Sequence, residues 1–153
     1  MASDTLLQLI TLHDEAFEPL TLLAAWQQRA WDAEHPAATS LFIGRVRASA
    51  ADGSPLLALE LEHYPGMTER QLNQLAQACC QRHGVGSCRI AHRIGRVQPG
   101  EAIVLVAIGA DRRGPAQRCC SELLEALKHD APFWKREWRA DGSSSWITGN
   151  TPL

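Results

Sequence analysis

The sequence predicts an α+β fold, a single domain over residues 1–153 with a mixed or antiparallel sheet and about three helices. Three observations carry this reading. Short apolar runs of strand length alternate with longer stretches whose apolar residues recur at helical spacing. The resulting order is βαββαββαββ, and helices separated by pairs of strands point away from a doubly wound parallel sheet. No internal repeat, low-complexity segment or long linker divides the 153 residues, which suffice for one sizeable core.

Thr5 to Thr11 is apolar and short enough for a first strand. Pro19 suits the first turn of a helix, with Leu20, Leu23, Ala24 and Ala30 on its apolar face, ending before His35-Pro36. Thr39 to Val46 reads as a buried strand. Ala48 to Pro55, with Asp52-Gly53, is a loop or hairpin turn, and Leu56 to His63 is the next strand. Tyr64-Pro65-Gly66 breaks it. Thr68 followed by Gln71 has the pattern of a capping box, and Leu72, Leu75, Ala76 and Cys79 follow at helical spacing toward a terminating Gly84. Cys88, Ile90, His92 and Ile94 alternate with Arg89, Ala91 and Arg93, a strand with one polar face and His92 as a hydrogen-bonded core histidine. Pro99-Gly100 turns the chain into the apolar strand Ala102 to Ile108. Pro115 can start a third helix that buries Ala116, Cys119, Cys120, Leu123, Leu124 and Leu127, with Lys128 in its last turn before Pro132. Trp134 to Trp138 is extended, and Asp141-Gly142 leads to a short strand at Trp146-Ile147.

A net charge of -2 argues against bulk binding to nucleic acid or an anionic membrane, so any cationic site must be local. No apolar run reaches bilayer length, and Met1-Ala-Ser-Asp-Thr lacks a basic leader; a cytoplasmic protein is expected. The cysteines are Cys79, Cys80, Cys88, Cys119 and Cys120. Their odd number and the lack of CxxC favour buried reduced thiols over a zinc site or a redox pair. Glu60-Leu61-Glu62-His63 is a poor metal site, because Glu60 and Glu62 share a strand face that His63 opposes. No Walker loop, GxGxxG, HExxH or GxSxG occurs. Neither a metal nor a cofactor is expected.

The residues that can carry chemistry are basic. Only two of the fifteen strong cations are lysines, Lys128 and Lys135, seven residues apart. Arginine stays protonated in ordinary sites, whereas a desolvated or cation-crowded lysine can act as acid, base or nucleophile. Crowding is expected to make Lys135 the more easily deprotonated, since the third helix's negative end favours charge on Lys128. Four basic clusters fall at element ends: Arg45-Val46-Arg47, Arg112-Arg113, Lys128, and Lys135-Arg136. If they converge, they form a pocket for a small phosphorylated or otherwise anionic molecule. The alternative is four solvated edge charges.

At Leu61-Glu62-His63-Tyr64-Pro65-Gly66-Met67-Thr68 the chain resembles the large, catalytic subunit of molybdopterin synthase, the MoaE family. The resemblance runs through Phe42-Ile43-Gly44-Arg45-Val46-Arg47, His92-Arg93-Ile94-Gly95, Pro99-Gly100-Glu101 and Lys128 to Glu137, in order over roughly residues 38 to 147. It implies an α/β-hammerhead fold and a homodimer within a heterotetramer. The implied partner is a small ubiquitin-like subunit whose C-terminal Gly-Gly carries a thiocarboxylate. The implied substrate is cyclic pyranopterin monophosphate, which receives two sulfurs to form the dithiolene of molybdopterin.

By the same resemblance the catalytic residues are Lys128 and Lys135. The substrate contacts are Arg45, Val46, Arg47, Arg112, Arg113, both lysines, Arg136 and Glu137. Two departures stand out. Arg112 occupies a position that is typically histidine, and the tail Ile147 to Leu153 has no arginine, where family members can supply one to the neighbouring subunit. The competing expectations are a homologue that only docks a ubiquitin-like partner and an unrelated anion-pocket enzyme.

Overall fold

The apolar periodicities resolve into eight strands and three helices in the computed structural model, which describes residues 7–147. In chain order they are β1 (Leu7–His13), α1 (Pro19–Glu34), β2 (Ala38–Arg45), β3 (Leu56–His63), α2 (Met67–His83), β4 (Ser87–Arg93), β5 (Gly95–Val97), β6 (Ala102–Ala110), α3 (Arg113–Asp130), β7 (Phe133–Arg139) and β8 (Ser144–Trp146). Thr5 and Leu6 of the expected first strand lie outside the described residues.

The strands form two sheets. The first has the order β1-β4-β6-β2, with β1 parallel to β4 and the other pairs antiparallel. The second, β5-β3-β7-β8, is wholly antiparallel. The chain leaves the first sheet for the second between β4 and β5, at Gly95, whose φ of 76° is a left-handed conformation that favours glycine. Short β5 was not separable from the preceding apolar alternation in sequence.

The first sheet is covered on both faces. Leu23, Trp26 and Ala30 of α1 pack on Ala91, Leu105 and Ala107. On the other face Leu72, Ala76 and Cys79 of α2 and Cys119, Leu123 and Leu127 of α3 pack on Ile90, Val106 and Ile108. The architecture corrects three expectations. Arg89 and Arg93, read as a polar face, are buried. Arg89 instead donates to Thr11 Oγ1 and the Leu9 and Ile90 carbonyls, and Arg93 to Glu101 and the Arg96 carbonyl. On α1, Leu20 and Ala24 face solvent, and Trp26 takes the buried position at i+3 from Leu23. Finally, β2 is not buried: it is an edge strand with Leu41 and Phe42 exposed.

The α2 cap also differs from its sequence signature. The helix starts at Met67 after Gly66, and the Glu69 carboxylate accepts from the Gly66 N–H at 2.5 Å. Glycine has no side chain to complete a capping box. Thr68 is buried and accepts from the Tyr64 N–H, because it already lies in the first turn. Gly84 terminates the helix as expected, with φ 63° and its N–H on the Cys80 and Gln81 carbonyls. Helix α3 begins at Arg113, placing Pro115 inside the first turn, where no intrahelical N–H is lost.

Candidate functional site

Lys135 lies on β7 opposite Leu61 of β3. Strand alternation puts Phe133, Lys135 and Glu137 on one face and Trp134, Arg136 and Trp138 on the other. The first face turns inward. Phe133 packs against Leu61, Val46 and Val97, and its ring stacks on that of His92 at 4.1 Å. Burial, and secondarily the charge of Lys128, lowers the Lys135 pKa. Crowding by Lys128 thus lowers the Lys135 pKa in the direction the sequence predicts, but burial is the larger cause. Lys128 sits in the last turn of α3, close enough for the two ammonium groups to oppose each other.

His92 completes this cluster. Its Nδ1–H donates to the Arg93 carbonyl at 2.8 Å, as a core histidine would. Burial, with a smaller contribution from Lys135, brings its pKa down to about 4, so the ring is neutral at pH 7. The period-two pattern placed His92 on the apolar side of β4. Its neighbourhood with Lys135 depends on β4 and β7 meeting across two sheets, which no local pattern encodes.

The Arg45-Val46-Arg47 segment joins the same end of the molecule. Register shifts between Gly44 and Arg45, where β2 leaves its regular pairing with β6. Val46 is buried with Leu61, the strand partner of Lys135, while Arg45 and Arg47 are exposed on either side. The segment is tied to the Pro99-Gly100 turn. The Val46 N–H donates to the Glu101 carbonyl, the Gly100 N–H to the Val46 carbonyl, and Arg45 Nη1 to the Gly100 carbonyl at 3.0 Å. Glu101 braces that turn by accepting from the Gln98 N–H and from Arg93. The Gln98 bond, with Arg93 second, holds its carboxyl below the usual carboxylate range.

The remaining predicted residues lie apart from this cluster. Arg136 is on the outer face of β7, its guanidinium over the Trp138 ring at 4.4 Å and near Trp146, with Nε donating to Ser144 Oγ. Glu137 is half-buried opposite Leu59 and Ser145. Arg112 and Arg113 are exposed at the N-terminus of α3, whereas Lys128 is at its C-terminus. At 1.5 Å per residue the helix separates Arg113 from Lys128 by ~22 Å along its axis. Strand β6 gives the same answer, because Arg45 pairs with Ala102 at one end and Ala38 with Ala110 at the other. The four basic clusters thus do not share one small pocket within a single chain. A groove of about 780 Å3 opens at the Arg112 end, lined by Gln8, Glu34, Pro36, Gln81, Gly86 and Asp111 among others, and contains none of the predicted residues.

Residues 14–130 match the family model described as MoaE protein. The chain belongs to the MoaE family. It is 40% identical over 139 residues to the molybdopterin synthase catalytic subunit of Caulobacter vibrioides, covering 91% of this chain and 88% of that protein. It is 43% identical over 110 residues to the molybdopterin synthase catalytic subunit of Ralstonia nicotianae, a match spanning 72% of this chain and 61% of the relative's length. Among solved structures, the molybdopterin biosynthesis MoaE protein of Burkholderia ambifaria superposes with a TM-score of 0.71 at 36% identity, over 94% of this chain and 88% of that one. Three helices with mixed and antiparallel sheets are therefore the family's architecture as well as this chain's.

Proposed function

We infer that this chain is the catalytic subunit of a molybdopterin synthase. In this reading it transfers sulfur from the C-terminal thiocarboxylate of a small ubiquitin-like subunit to cyclic pyranopterin monophosphate. The observation that carries it is the pairing of the two lysines, with Lys135 half-buried and its charge disfavoured by burial and by Lys128. Such an amine gives up its proton more readily than an exposed lysine, which suits it to acid–base work. Arg45 and Arg47, flanking the buried Val46, supply fixed positive charge for the substrate phosphate. Lys128 and Lys135 then manage protons and developing negative charge as the thiocarboxylate sulfur attacks the pterin side chain.

Arg112 and Arg113 enter this scheme through a second copy. Among the described residues no strand pairs with the outer edge of β2, and Leu41 and Phe42 are exposed there. Two copies paired along that edge by a two-fold axis perpendicular to the sheet run antiparallel. The Ala38 end of one β2, beside Ala110 and hence Arg112, then lies next to the Arg45 end of the other. A homodimer would thus bring Arg113 of one chain toward the lysines of its neighbour. The tail that lacks the family's arginine, from Thr148 to Leu153, lies outside the described residues.

The test is reconstitution. The purified chain, thiocarboxylated small subunit and cyclic pyranopterin monophosphate should yield molybdopterin, and Lys128→Ala and Lys135→Ala should abolish it while both variants stay folded and bind the partner. Docking without product by the wild-type chain would make it a non-catalytic homologue. Near-wild-type turnover by both variants would remove the lysines from the mechanism.

A further inference from the structure

On the face of the first sheet away from α1, helices α2 and α3 bring together a second group of reactive side chains. Cys79 and His83 are four residues apart on α2, so they share one helical face. Glu122 faces them from α3. Cys79 Sγ, His83 Nε2 and a Glu122 carboxylate oxygen all lie within 4.8 Å of one another. Glu122 Oε2 contacts both others, hydrogen-bonded to His83 Nε2 and 3.7 Å from Cys79 Sγ. From the geometry we propose that Cys79, His83 and Glu122 form a binding site for a thiophilic divalent cation of the zinc class.

Three features favour a metal over a plain inter-helix hydrogen-bond cluster. The first is spacing. With Zn–S near 2.3 Å and Zn–O near 2.0 Å at tetrahedral angles, ligand sulfur and oxygen sit ~3.5 Å apart. The Cys79–Glu122 separation of 3.7 Å is close to that. The second is the orientation of the carboxylate. Arg82 donates to Glu122 Oε1 from Nε at 3.2 Å and Nη2 at 2.9 Å, leaving Oε2 aimed at His83 and Cys79. This is the outer partner that metal-binding carboxylates require for orientation. The third is the setting. Cys79 is fully buried, with Cys119 Sγ 3.8 Å away. Glu122 is 42% exposed and His83 20%, which leaves an entry path and room for a water as fourth ligand.

The proton balance sets the pH dependence. Cys79 must lose its thiol proton to ligate, since the thiolate is the form that binds metal. The cation must displace that proton to solvent. His83 must also present the Nε2 lone pair and carry its proton on Nδ1. One proton is therefore released per ion bound to neutral His83, and thiolate plus carboxylate neutralise the divalent charge. The sequence conceals the site because its ligands come from two helices about forty residues apart.

The experiment uses the full chain, stripped of metal and titrated with Co2+, followed by competition with Zn2+. One Co2+ per chain is expected, with a thiolate charge-transfer band in the near ultraviolet and visible bands of tetrahedral intensity, all bleached by Zn2+. Cys79→Ser should remove the charge-transfer band, and Arg82→Ala should weaken affinity 10- to 100-fold through the lost orienting contacts. Since Cys79 is buried and Cys79→Ser can unfold, His83→Gln at a partly exposed position serves as a second test, with circular dichroism confirming the fold. Absence of saturable uptake at micromolar free Co2+ would overturn the proposal. So would a charge-transfer band that survives in Cys79→Ser, or unchanged affinity in folded His83→Gln.

Discussion

His92 offers a quantitative test of the site cluster through its effect on stability. Its pKa is about 4 in the folded chain against an ordinary 6.5. A histidine depressed on folding stabilises the protein where the unfolded chain also holds it neutral, and this contribution is lost as pH falls below 6.5 toward 4. Between those values the unfolded chain binds the proton and the folded chain resists it. From the two pKa values, linkage gives a loss of about 2 kcal/mol on going from pH 7 to pH 5. His92→Gln removes the titration but keeps a side-chain N–H for the Arg93 carbonyl. The stability advantage of wild type over His92→Gln should therefore shrink by about 2 kcal/mol between pH 7 and pH 5, measured by urea unfolding of both proteins at both values. Every other titrating group, His13 and Glu101 included, is common to the two proteins and cancels. A wild-type-to-variant difference that does not change with pH would show that His92 is not desolvated beside Phe133 and Lys135.

Other expectations follow from the same geometry. In reductively methylated protein observed by NMR, Lys128→Met should move the Lys135 titration to higher pH, since one of the two causes of its depression is removed; an unchanged or lower value would separate the two amines. If Arg113 serves the neighbouring chain, mixing inactive Lys135→Ala with inactive Arg113→Ala should restore about a quarter of wild-type molybdopterin formation, because half the dimers carry one intact pocket; no recovery after subunit exchange would place Arg113 in its own chain's site or outside catalysis. Arg112→His, the family's usual residue, should retain substrate binding in an equilibrium titration, and its loss would mean that this pocket has been rebuilt around arginine. Gly109→Ala should cost about 1–3 kcal/mol in thermal or urea unfolding, as its Cβ would fall 2.3 Å from Ser87 Oγ.

Much of this protein was legible in the chain itself. Period-3.6 patterns located the three helices and the cysteine-bearing faces of α2 and α3, because a helix that covers a sheet must repeat its apolar residues at that spacing. Gly84, Gly100 and Gly142 marked chain reversals, all with the positive φ that favours glycine. The rarity of lysine by itself singles out Lys128 and Lys135. Tertiary structure decided the rest. Whether Arg89 faces water or a helix depends on α1 closing over β4, and the exposure of Leu41 and Phe42 depends on β2 lying at an edge; identical local sequence is compatible with either. The division of the strands into two sheets brought His92 to Lys135, whereas the placing of Arg112-Arg113 and Lys128 at opposite ends of α3 was already readable from Pro115 and Pro132. Local pattern fixes which way a side chain faces on its own element, but the distance between two elements is set by long-range packing, and that distance determines which of these basic residues can act together.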